Sequence, residues 1–122
     1  MKDPDPLVRV SAGQSLALLS VADGPRYLRT ALGDNDFDVR ASASRALGRI
    51  RDREALPLLA KVFQDPVARV RIATARALGM IGGKDALNIL RAGLADPDLS
   101  VQNYAAGNIL ALLPKKTNQK KE

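Results

Sequence analysis

The chain repeats itself every 31 residues. Residues 34–64 and 65–95 align without a gap and are identical at 11 of 31 positions. The shared residues are Asp34/Asp65, Val39/Val70, Arg40/Arg71, Arg45/Arg76, Ala46/Ala77, Leu47/Leu78, Gly48/Gly79, Ile50/Ile81, Ala55/Ala86, Leu56/Leu87 and Leu59/Leu90. The frame extends outward to Asp3, Val8, Arg9 and Leu16 on one side, and to Asp96, Val101 and Ile109 on the other. A period of this size means one supersecondary unit per repeat, stacked on its neighbours to bury a face that it cannot bury alone. The chain is therefore confined to a solenoid. Function is to be sought on surfaces rather than in an enclosed catalytic cleft.

Each period carries two apolar patterns with helical spacing. In the third unit Val70, Thr74, Ala77, Leu78 and Ile81 form one inward stripe. Asp65-Pro66 signals its start, with Asp as cap and Pro at the first helical position. Asp3-Pro4 and Asp96-Pro97 repeat the signal, and Asp34-Asn35 is a weaker version. Gly82-Gly83 suits a left-handed stop. A shorter helix follows, with Ala86, Leu87, Leu90 and Leu94 expected to face inward. Its equivalents are Ala55, Leu56, Leu59 and Phe63, preceded by Pro25, Leu28 and Leu32. The expected spans are roughly 4–20, 24–33, 35–50, 53–63, 66–81, 84–94 and 97–113. Short loops make consecutive helices antiparallel neighbours. The fold expected is an all-α, right-handed α-solenoid of about seven helices. Gly48 and Gly79 fall inside long helices, where Gly costs about 1 kcal/mol relative to Ala. They mark places where the next helix crosses too closely for a side chain.

Composition narrows the function. The 122 residues are 46% apolar but only 3% aromatic, so Ala, Leu, Val and Ile build the interior. There is no Cys and no His, which removes thiol chemistry together with the commonest general base and metal ligand. No catalytic, cofactor or metal residue is assigned. No apolar run approaches membrane-spanning length, and a cytoplasmic location is expected. The net charge of +6 divides evenly: residues 115–122 hold four Lys and one Glu, and the repeat body supplies the other half. Residues 1–114 are read as the repeat domain, half a repeat plus three, and 115–122 as a basic disordered tail.

The run Asp65-Pro66-Val67-Ala68-Arg69-Val70-Arg71-Ile72-Ala73-Thr74-Ala75-Arg76-Ala77-Leu78-Gly79-Met80-Ile81 resembles the HEAT repeats of the phycobilisome-lyase type, a short and regular subclass. The resemblance spans about 3–113 and implies the armadillo/HEAT-like superhelix. Members include bilin lyase subunits, deoxyhypusine hydroxylases and scaffolds without activity, so the fold alone does not assign a function. The hydroxylases hold iron with His-Glu pairs, which a chain without His does not supply. The similar HEAT-like DNA glycosylases use aromatic and acidic residues in a basic groove. This chain has no Trp, and its aromatics Tyr27, Phe37, Phe63 and Tyr104 are dispersed in sequence.

Three local patterns look like chemistry and fail on spacing. Asp34-Asn35-Asp36-Phe37-Asp38 opens like a calcium loop, but Val39 and Arg45 stand where that loop needs Gly and Glu. Gly82-Gly83-Lys84 lacks the remaining residues of a phosphate loop. Gly13-Gln14-Ser15-Leu16-Ala17 lies mid-helix, where a nucleophile elbow cannot form. Arg9, Arg40 and Arg71 recur with the period and are expected to tie each repeat to a neighbouring Asp or to helix-end carbonyls, with Gln102 ending the ladder.

The long helices are expected to line the concave face. Positions left free there are Arg69, Ala73, Arg76 and Met80, then Asp38, Ser42, Arg45 and Arg49, then Leu7, Ser11, Gln14 and Leu18, and in the last unit Ser100, Tyr104, Gly107 and Ala111. These vary between repeats while the core positions recur. Asp38, Arg45, Arg49, Arg69, Arg76, Met80 and Tyr104 are the candidate partner-binding residues. The leading reading is a non-catalytic scaffold or adaptor that binds an acidic or mixed protein segment. Two alternatives stand beside it: phosphate-backbone binding to nucleic acid, aided by the Lys-rich tail, and an accessory subunit of a bilin-lyase-like enzyme. The opening long helix has no short partner before it and is expected to be a self-associating or truncated end. The last helix, with Asn103 and Asn108 at normally apolar or small sites, reads as a C-terminal cap.

Overall fold

The computed structural model describes residues 23–113. Among these residues six α-helices and two short 3-10 turns follow one another, and there is no strand. They are α1 (Asp23–Ala31), α2 (Phe37–Arg49), α3 (Leu56–Val62, entered through a 3-10 turn at Arg53–Ala55), α4 (Ala68–Ile81), α5 (Gly83–Leu90, continued by a 3-10 turn at Arg91–Ala95) and α6 (Leu99–Leu112). The solenoid reading holds for this region. The expected helix at 4–20 and the tail at 115–122 lie outside the described residues, as do the capping and self-association expected of the first helix.

The long helices α2, α4 and α6 form one layer, and each packs along the next. The shorter α1, α3 and α5 form the second layer, in which α3 and α5 barely touch. The interior between the layers is built from Leu28, Leu47, Leu59, Leu78 and Leu90 with Val39 and Val101, all fully buried. These residues are one or two periods apart, or occupy matching positions in the two layers, which is why the stripe recurs with the repeat. One polar pair sits inside the long-helix layer. Ser44 and Thr74 are fully buried, their hydroxyls 3.2 Å apart, and Thr74 also donates to the Val70 carbonyl at 2.8 Å. The hydroxyls are thus satisfied locally, as burial requires.

Each long helix starts about two residues later than the sequence suggested, because the conserved-in-frame Asp does a different task. Asp34, Asp65 and Asp96 accept a bond from the amide two residues on, at 2.9, 2.9 and 2.8 Å. This side-chain turn precedes the helix. The cap position proper is Asp36, Val67 and Asp98. Asp36 accepts from the Asp38 amide, and Asp98 from the amides of Ser100 and Val101. Val67 makes no side-chain cap.

The close crossings are as the glycines suggested. A Cβ on Gly48 would lie 2.6 Å from the Ala77 Cα. One on Gly79 would overlap the side chain of Asn108, whose amide donates to the carbonyls of Ala75 and Tyr104. Gly82 and Gly83 turn the chain between α4 and α5 with φ of 70° and 91°. Arg51 takes the same sign of φ, 54°, at the end of α2. There the Asp52 amide donates back to Leu47 and the Arg51 amide to Gly48, closing the helix.

Candidate functional site

The repeated arginines build the scaffold on which the free face is displayed. Arg40 donates from Nε to Asp65 Oδ2 at 2.6 Å and from Nη2 to Oδ1 at 3.2 Å. Its Nη1 reaches the carbonyls of Asp34 and Asn35. Arg71 repeats the pattern one period later, with Asp96 and the Asp65 carbonyl. Gln102 keeps only the carbonyl bond, from Nε2 to Asp96 at 2.7 Å. The ladder therefore joins each repeat both to its own loop and to the Asp of the next. Burial alone would push the Asp96 carboxyl up, but the Arg71 hydrogen bond, the Asp98 amide and the Arg71 charge together hold it below the usual carboxylate range. The bond to Asp96 likewise raises Arg71 above its ordinary value. These arginines are committed to the stack and are not available to a ligand.

The outward stripe is different. Asp38, Ser42, Arg45 and Arg49 follow one another at helical spacing on α2, with Arg69, Arg76 and Met80 on α4 and Ser100, Tyr104, Gly107 and Ala111 on α6. All carry solvent-accessible surface except the fourth α4 position, Ala73. That residue was expected on the free face but is buried against Ala41 and Val70. An alanine is short enough for the neighbouring long helix to cover it.

Three of the candidates come together at one end of the stripe. Arg69 donates to Asp38 at 2.9 Å, and these two residues with Ala41, Ser42 and Arg45 line a shallow concavity. Arg45 donates to the Ser42 hydroxyl at 3.1 Å and, among the described residues, meets no carboxylate. The Arg69–Asp38 pair is exposed on both sides, so it contributes little to stability. Further along, the Arg76 guanidinium lies 5.6 Å from the centroid of the Tyr104 ring. Arg49 and Met80 are exposed in the last turns of α2 and α4.

Sequence reasoning took the aromatics as dispersed. The fold places two of the four on this face, each under an arginine. Phe37 carries Arg69 at 6.0 Å, and Tyr104 carries Arg76. The two pairings span 32 and 28 residues, close to one period, so the repeat frame itself held the signal. Two arginines at the helix ends were missed. Arg51 donates to the Met80 carbonyl, and Arg53 to the carbonyls of Ile81 and Gly82. Gly82 and Lys84 replace them one period on, so periodicity gave no indication of their role. No helix among the described residues is long and apolar enough to cross a membrane.

Comparison with known proteins agrees with this architecture. A family model described as HEAT repeats matches residues 1–68 and again 25–111. No curated protein matches the chain. Paired antiparallel helices, a 31-residue period and two overlapping family matches lead to one conclusion: the chain belongs to the HEAT-repeat family.

Proposed function

We propose that the chain is a non-catalytic scaffold or adaptor of the short, regular phycobilisome-lyase-type subclass, and that it binds an acidic protein segment along the long-helix face in the cytoplasm. The observation that carries this reading is the charge balance of that face. Among the described residues no ion pair joins Arg45, Arg49 or Arg76 to a carboxylate, while Arg40 and Arg71 are consumed by the ladder. Guanidinium groups not already paired with a carboxylate suit one through paired hydrogen bonds. HEAT repeats are in general protein-interaction scaffolds, which supports a protein as the occupant.

Packing supports a concave long-helix face. The long helices approach closely enough to exclude a Cβ at Gly48, whereas α3 and α5 in the outer layer barely meet. A stack whose helices are closer on one side curves towards that side. Nucleic acid is the weaker reading. Single strands need free aromatic platforms, and Phe37 and Tyr104 already carry guanidinium groups.

The experiment is the double charge reversal Arg45→Glu with Arg76→Glu, compared with the unaltered protein in binding to an acidic peptide by fluorescence anisotropy. Loss of peptide binding with an unchanged thermal melt is expected. Equal binding by both proteins would sink the proposal. A single-stranded oligonucleotide in the same assay that competes fully for the face at physiological salt would move the assignment to nucleic acid.

A further inference from the structure

The third long helix presents an apolar face that its own stack does not cover. On α2 and α4 the side turned towards the next repeat carries Ala41, Ser44 and Gly48, then Ile72, Ala75 and Gly79. These are the positions of closest contact: Ala41 packs on Val70 and Ala73, Ser44 bonds Thr74, and Gly48 abuts Ala77. One period on, the same positions of α6 are Asn103, Ala106 and Leu110, flanked by Leu99 and Leu113. Leu99 is 67% and Leu110 71% exposed. Leu94 is exposed as well, although its counterpart Phe63 is buried. Of the two asparagines expected to cap this helix, Asn103 lies on this side among the leucines, while Asn108 turns inward to the Ala75 carbonyl.

Another repeat of the same series does not fit there. The position that is glycine in the inner repeats, where a Cβ would lie 2.6 Å from the next helix at Gly48 and overlap the Asn108 side chain at Gly79, is Leu110 in α6. A leucine side chain prevents that crossing. The ladder ends too, since Gln102 replaces the arginine that would grip a following Asp. The segment after α6 departs as well. Where the short helices carry Ala55/Ala86, Leu56/Leu87 and Leu59/Leu90, it has Thr117, Asn118 and Lys121. Three features thus depart together at a face where Leu99, Leu110 and Leu113 are exposed.

We propose that this face docks a second copy of the chain, α6 against α6, antiparallel about a two-fold axis beside Ala106. The patch is self-complementary in size, with leucines towards both ends and a small residue between them, as an isologous interface requires. Leu99, Asn103, Ala106, Leu110 and Leu113 step by four, three, four and three residues, the seam of paired helices. No residue of α6 is charged, so a copy placed opposite meets no like charge from the helix itself. The antiparallel arrangement also sets the positive end of one helix dipole beside the negative end of the other. The proposal concerns a different face from the arginine stripe and does not depend on its function.

The test uses the whole chain. Analytical ultracentrifugation from low to high micromolar concentration is expected to show a monomer–dimer equilibrium that salt does not weaken. Leu99→Glu combined with Leu110→Glu is expected to be monomeric throughout, with an unchanged helical spectrum because both side chains are exposed. The chain has no cysteine, so Ala106→Cys gives a single crosslinking site. Its oxidation is expected to yield a disulfide-linked dimer, while Ala111→Cys on the outward stripe yields far less. A strict monomer, growth beyond the dimer, a double variant that still associates, or equal crosslinking at both sites would each overturn the proposal.

Discussion

Arg71 and Asp96 belong to successive repeats and are joined by two parallel hydrogen bonds, Nε to Oδ2 at 2.8 Å and Nη2 to Oδ1 at 3.1 Å. Both side chains are nearly shielded from solvent, and Arg71 also holds the Asp65 carbonyl of its own repeat at 2.7 Å. A planar fork with three simultaneous acceptors is something lysine cannot replace. Arg71→Lys is expected to lower stability by about 1–3 kcal/mol in urea unfolding. Arg69→Ala, which removes an exposed pair, is expected to stay within about 0.5 kcal/mol. Equal losses for the two would refute this division of roles.

The same pair sets an acid limit. Asp96 ionises more readily in the folded chain than its ordinary value of 3.8, so the unfolded state binds more protons as the pH falls. Its contribution is complete above that ordinary value and disappears as the pH drops through the lower folded value. Arg71 is raised, so its contribution would fade only at extreme alkaline pH. Thermal melts of Asp96→Asn should be lower than those of the unaltered protein at neutral pH and converge with them in acid. Curves that stay parallel would contradict the linkage.

Two glycines should respond in opposite directions to the same substitution. Gly48→Ala places a Cβ 2.6 Å from the Ala77 Cα, so the α4 backbone must shift. A net loss of about 1–3 kcal/mol is expected despite the better helix former. Nothing lies within 4 Å of a Cβ at Gly107. Gly107→Ala is expected to add about 0.5–1 kcal/mol. Chemical denaturation of both variants at low protein concentration checks the signs.

The cap position is filled unevenly along the stack. Asp98 accepts two helix-start amides, and Asp98→Ala should remove about 1 kcal/mol. Val67 occupies the equivalent place without a cap and packs instead beside Val70. Val67→Asp should supply the missing bond but forfeit that contact, for a net gain below about 1 kcal/mol. Destabilisation by this substitution would show that the apolar contact outweighs the cap.

The order of helices, the inward leucines, the close crossing at Gly48 and the arginine ladder were all legible in the 31-residue frame. Each is imposed by the same local geometry in every repeat, so it leaves the same residue at the same place. Leu94 was misread for the complementary reason. Its place in the frame matches Phe63, but its burial depends on whether a neighbouring repeat covers it. Ala73 shows the reverse, an outward position covered by the adjacent helix.

By itself, the sequence determined that this chain stacks paired helices with one period and which side of each helix enters the core. That follows from 3.6-residue periodicity and from glycine where backbones meet. Only the tertiary structure decided how the arginines outside the ladder are partnered. Arg69 pairs with Asp38 and lies over Phe37, Arg76 lies over Tyr104, and Arg45, among the described residues, bonds only the Ser42 hydroxyl. Partnership of a long charged side chain depends on what the next repeat brings within reach, and that distance is not written along a single helix.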